Sequence, residues 1–232
     1  MIEDPPLLTI KRNGRRPSAD QIAAFQGVPS SFIVDTLYGT GALCSDIQPL
    51  GEGRDLPGHA AGPALTARCG PADIMATMAA LKFIQPGDIV VSSSAAHQGC
   101  ATAGDRVTGM MKNNKACGFV TDGPVRDYAG IVDVGLPVWC TGLTPATPFK
   151  MGPGAVGLPI QIGGQNVETG DMIVADRDGV AVIPFDRIDF VIERLAKVME
   201  LESELDAQVA EGLKIPVSMQ ELLDSDQVKY ID

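Results

Sequence analysis

Histidine is the scarcest reactive side chain in this sequence. Only His59 and His97 occur among 232 residues, so a metal site built from several histidines is excluded. A Ser-His-Asp triad would have to use one of these two residues. Any metal ion would have to be held by carboxylates, which favours a hard cation such as Mg²⁺ or Mn²⁺.

Paired cysteines, an apolar leader and long apolar runs are also missing. The five cysteines include no CxxC pair and their number is odd, which favours reduced thiols over a disulfide framework or a zinc site. The start, MIEDPPLLTIKRNGRR, lacks the apolar core of a signal peptide. No apolar run approaches the length of a membrane span. We therefore predict a cytoplasmic protein with no membrane partner.

Positive charge is in deficit. The chain has 18 Lys and Arg against 29 Asp and Glu, a formal net charge of −11. Because such a protein repels phosphate backbones, we predict no nucleic-acid partner. The densest basic segment, KRNGRR at residues 11–16, is interpreted as a solvated N-terminal arm.

The pattern that remains is typical of an α/β protein. Between residues 60 and 140, strand-like segments such as GDIVVSSS, ACGFVTD and LPVWC alternate with helical ones, which predicts an α/β core. Two short helices are expected before this core. The first is capped by Ser18 with Gln21, and the second by Ser30.

The last third of the chain has a different character. Short strands and turns predict a β-rich layer, and a long final helix is expected to begin near Asp186. The segment GPGAVG at residues 152–157 matches GxGxxG formally, but it precedes a strand-like segment instead of a helix. We interpret it as a turn and not as a dinucleotide site.

One stretch carries charges that point to chemistry. DRVTGMMKNNKACGFVTDGPVRD begins at Asp105, which opens a predicted helix, and ends in Arg126 and Asp127 after a strand and a Gly-Pro turn. If the strands at 86–92 and 116–121 are parallel neighbours, both turns lie at the carboxyl edge of the sheet. Ligands of open α/β sheets bind at this edge.

These residue types suit a small α-keto acid. Asp127 can supply an oxygen ligand to a divalent metal, and Arg126 presents a planar fork to a carboxylate or a developing enolate. Asp105 can orient a water on the metal. The alternative is structural, with Asp105 favouring the helix dipole and the Arg-Asp pair being ordinary surface charge.

The loop before Asp105 supplies further candidates. Its amides at Thr102, Ala103 and Gly104 precede a helix N-terminus and can hold an anionic oxygen. His97 can contact a second substrate carboxylate, although a lone histidine is more often structural. Cys100 is expected to be a small packed residue, since no base is evident beside it.

The spacing from Asp105 through twenty intervening residues to Arg126 and Asp127 resembles the D-x20-R-D signature of class II pyruvate aldolases. These enzymes act on 4-hydroxy-4-methyl-2-oxoglutarate and 4-carboxy-4-hydroxy-2-oxoadipate and belong to the RraA-like family, named after a regulator of ribonuclease E. The segments GDIVV, GLPVW and GDMIVADRDGVAVIP are similar to that family as well. The resemblance covers roughly residues 18–205.

The resemblance implies a fold, an assembly and a set of roles. It implies a single-domain layered α/β sandwich of the RraA-like, swivelling phosphohistidine type with helical extensions at both ends. It implies homotrimers or homohexamers with sites between subunits. It implies Mg²⁺ or Mn²⁺ at Asp127, an enolate stabilised by Arg126 and a proton-shuttling water positioned by Asp105. On this basis we expect an arm at 1–17, a domain at 18–212 and a tail at 213–232.

Two further acids are expected near the site of a neighbouring subunit. Asp35, in the second short helix, fits one place that the family uses. Glu202 falls in the final helix on an apolar stripe of 3-4 spacing, where a buried carboxylate would need a partner. The stripe comprises Ile188, Val191, Leu195, Val198, Leu205 and Val209. The alternative is that Glu202 is merely solvated.

The function expected from the resemblance is a metal-dependent aldolase, a carbon-carbon lyase. It would cleave a 4-hydroxy-2-oxo acid to pyruvate and a second keto acid through a pyruvate enolate, with oxaloacetate decarboxylation as a side activity. One alternative is a non-catalytic regulator that binds ribonuclease E. Another is an enzyme of the same chemistry that acts on a different keto acid.

Overall fold

The computed structural model describes residues 6–231, and these form the mixed α/β architecture that the sequence predicts. The helices are α1 (Ala19–Ala23), α2 (Ser30–Thr36), α3 (Met75–Ala80), α4 (Asp105–Asn113), α5 (Tyr128–Val134), α6 (Ile188–Ala210) and α7 (Val217–Leu223). The strands are β1 (Leu8–Ile10), β2 (Gln48–Pro49), β3 (Ala60–Arg68), β4 (Ile89–Ser93), β5 (Gly118–Thr121), β6 (Val138–Cys140), β7 (Gly154–Val156), β8 (Ile160–Ile162), β9 (Gln165–Val167), β10 (Met172–Ala175) and β11 (Val180–Ile183).

The long strand β3 joins the two parts of the main sheet. Its first half pairs antiparallel with β10, and its second half pairs parallel with β4. The parallel run continues through β5 and β6. Parallel neighbours need crossover connections, and here α3, α4 and α5 supply them. The carboxyl ends of β4 and β5 therefore lie at one edge of the sheet, as predicted.

Helices α4 and α5 cover one face of the parallel strands. Val107 and Met111 from α4 and Ile131 from α5 are buried in one cluster with Val90 and Phe119 of the sheet. Full burial of each such side chain contributes about 2 kcal/mol. This packing holds the first turns of the two helices side by side.

The N-terminal arm is anchored to the body of the protein. Strand β1 pairs parallel with β7, and Arg16 forms an ion pair with the buried carboxylate of Asp88. Arg15 reaches Asp186 at 2.7 Å. The interpretation of residues 11–16 as a solvated arm is therefore wrong for Arg16, because a buried carboxylate recruits a cationic partner.

The two short helices begin as the sequence predicts, but only one has the predicted cap. Ser18 and Gln21 form the expected capping box at α1. The prediction that Ser30 caps α2 is wrong, since Pro29 is the N-cap residue. Asp176 accepts hydrogen bonds from the Ser30 N–H and hydroxyl, both at 2.7 Å. A distant carboxylate thus satisfies the first turn of α2.

Segment 152–157 opens a strand and not a helix. Gly154–Val156 form β7, which agrees with rejecting a dinucleotide site there. The interpretation of the whole segment as a turn is wrong, because its second half joins the main sheet beside β3. Backbone pairing on both sides of β7 outweighs the turn preference of the glycines.

Helix α6 is buried only along its first half. Ile188, Val191 and Leu195 are buried, whereas Leu205 and Val209 are exposed in the described chain. The apolar stripe therefore continues into solvent beyond the point where α6 leaves the body. Within residues 6–231, no helix combines the length and the apolar character needed to cross a membrane.

Candidate active site

The candidate site lies where β4 and β5 end. Ser92 of β4 is in register with Thr121 of β5, so the loops that follow them, 94–104 and 122–127, leave the sheet together. The first loop leads into α4 at Asp105, and the second leads into α5 after Asp127. Both helices therefore begin at the same edge.

Backbone hydrogen bonds tie the two loops to each other. Thr102 N–H donates to Pro124 O at 2.8 Å, and Arg126 N–H donates to Ala103 O at 3.1 Å. The Thr102 hydroxyl also donates to Pro124 O. The Thr102 N–H is thus occupied within the chain, and the amides left as candidates for an anion are those of Ala103 and Gly104.

A buried carboxylate stiffens this edge further. Asp122 accepts hydrogen bonds from the N–H and hydroxyl of Ser94 at 2.6 and 2.9 Å and from the Ser93 hydroxyl at 2.9 Å. It also accepts from Ala96 N–H at 3.0 Å. Asp122 was not among the predicted residues. A usable signal was present, because Asp122 directly follows one predicted strand and a run of serines, 92–94, ends the neighbouring one.

Asp127 takes a left-handed backbone conformation just before α5. Its φ and ψ are 60° and 48°, a region that aspartate tolerates better than most residues. Arg126 beside it is held from two directions. Its Nε lies 3.2 Å from Asp127 Oδ2, and its Nη1 donates to the Thr147 hydroxyl at 2.7 Å. These contacts leave three of the five guanidinium N–H donors for a ligand.

Gly104 is the point at which α4 meets this pair. A Cβ atom on Gly104 would lie 2.7 Å from Asp127 Oδ2 and 3.1 Å from Arg126 Cγ. The backbone at the start of α4 therefore lies so close to both charged side chains that only glycine fits at position 104 without a shift. N–H groups in the first turn of a helix have no partner within the helix, so amides, guanidinium and carboxylate converge here.

Asp105 makes the reciprocal contact with α5. A Cβ atom on Gly130 would lie 2.8 Å from Asp105 Oδ2. Gly130 lies in the first turn of α5, which begins directly after Asp127 in the chain. The structure thus brings Asp105, Arg126 and Asp127 together, as the spacing predicts, although Asp105 Oδ1 also accepts from Arg106 N–H at 2.6 Å.

Arg126 lies between two hollows in the surface. One is a cavity of about 190 Å³, with Ala103, Gly104 and Thr147 in its lining. The other is an open depression of about 300 Å³ that includes Asp127 and Tyr128. A hydrogen bond to Asp55 raises the pKa of Tyr128, so this phenol stays protonated and is excluded as a general base.

The residues in the depression fit a hard divalent cation. The carboxylate of Asp127 is 45% exposed, and no group of three or more His, Cys, Asp or Glu side chains with metal-site geometry occurs in the described residues. The Asp127 carboxylate without a cluster of further ligands does not suit a tetrahedral structural zinc site. It suits Mg²⁺ or Mn²⁺ held by one or two carboxylates with water on the remaining positions.

Comparisons with known proteins identify the family of this chain. A family profile described as RraA-like, Aldolase/RraA, matches residues 30–182. The chain belongs to the RraA-like family. It is 36% identical over 178 residues to a protein of Halalkalibacterium halodurans with the provisional name 4-hydroxy-4-methyl-2-oxoglutarate aldolase. The aligned residues make up 77% of this chain and 83% of that protein.

Two further matches differ in how much of each protein they cover. Protein DlpA of Legionella pneumophila is 29% identical over 178 residues, which are 74% of this chain and 28% of DlpA. The other is Streptomyces coelicolor RraAS2, an unusual member of the RNase ES inhibitor RraA protein family whose structure is known. It matches with a TM-score of 0.73 at 26% identity and covers 83% of this chain and 100% of its own. The RraA-like fold is thereby confirmed.

Asp35 and Glu202, two of the predicted acids, lie outside both hollows beside Arg126 in the single chain. Asp35 is exposed and lines a separate cavity of about 220 Å³, and Glu202 is half-buried in the second half of α6. Neither lines the two hollows beside Arg126, and their action in a neighbouring subunit stays a prediction. His97 packs against Gly99. Burial raises the pKa of the Cys100 thiol, consistent with a packed residue.

Three cationic and polar residues of the cavity were missed by sequence reasoning. Arg106 is the first residue after Asp105 in α4, and Thr147 and Lys150 come from the irregular segment after β6. No periodicity marks that segment. Its position is set by pairing between Asp73 and Phe149, a contact between residues far apart in the chain.

Proposed function

We propose that the protein is an aldolase that cleaves a 4-hydroxy-2-oxo acid to pyruvate and a second 2-oxo acid, with a divalent cation, Mg²⁺ or Mn²⁺, at Asp127. The observation that supports this most is the convergence of the α4 N-terminus, Arg126 and Asp127 at Gly104. The provisional name of the Halalkalibacterium halodurans relative supports the reaction class.

The main task of the site in this reaction is to stabilise the negative charge that develops on the pyruvyl unit. The 4-hydroxyl loses its proton to a base, the C3–C4 bond breaks, and its electron pair passes into the enolate of pyruvate. The former C4 leaves as the carbonyl carbon of the second keto acid, and C3 of the enolate is then protonated. A bound divalent cation supplies Lewis-acid polarisation of the C2 carbonyl oxygen.

Arg126 stabilises the charge that develops on the pyruvyl unit. Its guanidinium is fixed by Thr147 and Asp127, so it needs no reorganisation when the enolate forms. Removing one such preorganised donor typically lowers kcat by about 10²–10³-fold. The amides of Ala103 and Gly104 hold the pyruvyl carboxylate from the opposite side.

Asp105 moves the proton in this proposal. Its carboxylate lies against Gly130 in the first turn of α5, and it is only partly buried. It orients the water that accepts the hydroxyl proton and returns a proton to C3 of the enolate. Oxaloacetate decarboxylation is proposed as a side activity, because loss of CO₂ from oxaloacetate forms the same pyruvate enolate.

The proposal includes a homo-oligomer in which Asp35 and Glu202 act at a neighbour's site. It is tested by mixing Asp127→Ala with Glu202→Gln subunits under conditions that exchange subunits. Recovery of activity in the mixture is expected, because some sites then combine one intact Asp127 with one intact Glu202. If Glu202→Gln alone lowers activity and no mixture recovers it, Glu202 does not act across an interface.

The alternative is a protein that regulates a ribonuclease by binding it. The likeness to RraAS2 favours this fold-level possibility. A binding role gives no reason for Arg126, Asp127 and the α4 N-terminus to converge. Stoichiometric binding to ribonuclease E without any cation-dependent turnover would support the regulator and reject the aldolase.

The experiment measures pyruvate release from 4-hydroxy-4-methyl-2-oxoglutarate and from oxaloacetate, with and without Mg²⁺. Wild type should release pyruvate in a cation-dependent manner, and Asp127→Ala should lose this activity. Asp133→Ala, which removes an exposed carboxylate from the same helix, is the matched control and should retain it. Release that persists in folded Asp127→Ala would contradict the assignment of Asp127.

A further inference from the structure

One wall of the cavity beside Arg126 is apolar. Met78 contributes to it from α3 and Ile74 from the N-cap position just before α3, and Val107 and Met110 contribute from α4. Residues three apart lie on one face of a helix, so Val107 and Met110 of α4 face the same space as Ile74 and Met78. Gly104 and Arg126 line the same cavity.

The two methionines of this wall are not fully absorbed by the core. Met78 and Met110 are partly buried and pack against the cluster beneath α4 and α5, yet both line the cavity. Methionine is flexible and polarisable, and it adapts to apolar groups of different shape. The wall can therefore accept an alkyl group that is attached to the substrate next to its reacting carbon atoms.

Cationic side chains make up a second part of the cavity lining, the rim. Arg106 and Lys150 join Arg126 in its lining, in a protein whose net charge is −11. This concentration of positive charge suits an anionic substrate. The cavity thus combines attraction for an acid with a surface that favours the loss of water from an alkyl chain.

The wall and the rim are fixed to each other before any ligand arrives. Asp73 accepts hydrogen bonds from Met75 N–H at 2.7 Å and from Gly152 N–H at 3.1 Å. Ile74 N–H donates to Phe149 O at 3.0 Å. The start of α3 is therefore joined to the segment that carries Lys150, and the cavity is preformed.

We propose that the substrate carries on C4 an alkyl substituent longer than methyl, which packs between Ile74, Met78, Val107 and Met110. This inference rests on the proposed aldolase function and names a substrate class for that site. The pyruvyl unit, with three oxygens and a single methylene, leaves such a wall without a contact. The bonds broken and formed are those of the aldol cleavage, and the products are pyruvate and a 2-oxo acid with the alkyl chain.

The test compares 4-hydroxy-2-oxoglutarates with methyl, ethyl and propyl on C4 in one pyruvate-release assay, with oxaloacetate assayed in parallel. Each buried methylene is expected to raise kcat/KM about fourfold. As a second measurement on wild type, inhibition by 2-oxobutanoate, 2-oxopentanoate and 2-oxohexanoate should strengthen by a similar factor per carbon. This series needs no variant to fold.

Met110→Gln replaces an apolar side chain of the wall by a polar one of similar length and helix preference. The ratio of kcat/KM for the propyl and methyl substrates should fall close to one in this variant. Met199→Gln, an exposed methionine of α6, is the matched control and should keep the wild-type ratio.

The outcomes separate this inference from the function beneath it. Pyruvate release from the methyl compound with no gain, or a loss, for longer chains would overturn the alkyl assignment and leave the aldolase standing. No pyruvate from any compound or from oxaloacetate would overturn the aldolase and the substituent together. A wild-type chain-length preference that Met110→Gln abolishes would support both.

Discussion

Replacing Gly104 by alanine tests the geometry on which the site depends. The added Cβ would lie 2.7 Å from Asp127 Oδ2, and ordinary contact begins near 3.4 Å. The carboxylate, the Arg126 side chain or the start of α4 must therefore move by about 0.7 Å. Because a misplacement of about 1 Å in a catalytic group can cost 10²-fold, we expect kcat/KM to fall by about 10- to 100-fold.

The same change should leave the fold almost intact. Gly104 has φ of −147°, which alanine adopts without strain, and the Asp127 side chain is 45% exposed and can swing aside. We expect the free energy of unfolding to change by less than about 1 kcal/mol, below the usual cost of overpacking a core. Urea denaturation and the pyruvate-release assay measure the two effects separately.

Gly109→Ala is the matched control in the same helix. Its Cβ would meet only Val134 Cγ2, at 3.6 Å, so nothing in the site has to move. Alanine should stabilise α4 by up to about 1 kcal/mol and leave kcat/KM unchanged. If Gly104→Ala kept wild-type activity while folded, the close approach of α4 to Arg126 and Asp127 would have no catalytic role.

Three further expectations concern packing, pH and thiols. Gly130→Ala places a Cβ 2.6 Å from Asp105 Cβ, so it should lower both kcat/KM and the free energy of unfolding, the latter by about 1–3 kcal/mol, as urea denaturation would show. Burial raises the pKa of Asp88 despite its hydrogen bonds. Between its unfolded and folded pKa values, Asp88 therefore binds a proton in the native state but not in the unfolded state. The free energy of unfolding, measured relative to Asp88→Asn, should fall as pH rises through that window. A difference between the two proteins that does not change with pH would contradict this. Burial raises the pKa of Cys117 to about 12, which leaves about 10⁻⁴ of it as thiolate at pH 8, so exposed Cys44 should react with a thiol reagent far sooner.

The central part of the site could be predicted because it depends on local order in the chain. Strand β4, helix α4 and strand β5 follow each other directly, and parallel pairing then places the ends of both strands at one edge. Asp105 begins the helix after one strand, and Arg126 and Asp127 follow the next. The sequence pattern therefore determines which side chains meet, once the sheet is known to be parallel.

The remainder depends on contacts between segments far apart in the chain. Lys150 reaches the cavity because Asp73 and the α3 N-terminus hold its segment, and no periodicity signals this. Ser30 is a good capping residue by type, yet Asp176, which lies 146 positions further along the chain, satisfies the first turn of α2. For Asp35 and Glu202, the expected role involves another subunit, which a single chain does not position.

Stabilisation of the pyruvate enolate by Arg126 and Asp127 is the role proposed for this site. Its most direct test is exchange of the methyl protons of pyruvate in D₂O with Mg²⁺, followed by proton NMR, which requires no acceptor substrate. We expect cation-dependent loss of the methyl signal with wild type, and loss at the solution background rate with folded Arg126→Ala or Asp127→Ala. Exchange at the background rate with folded wild-type protein would contradict the account.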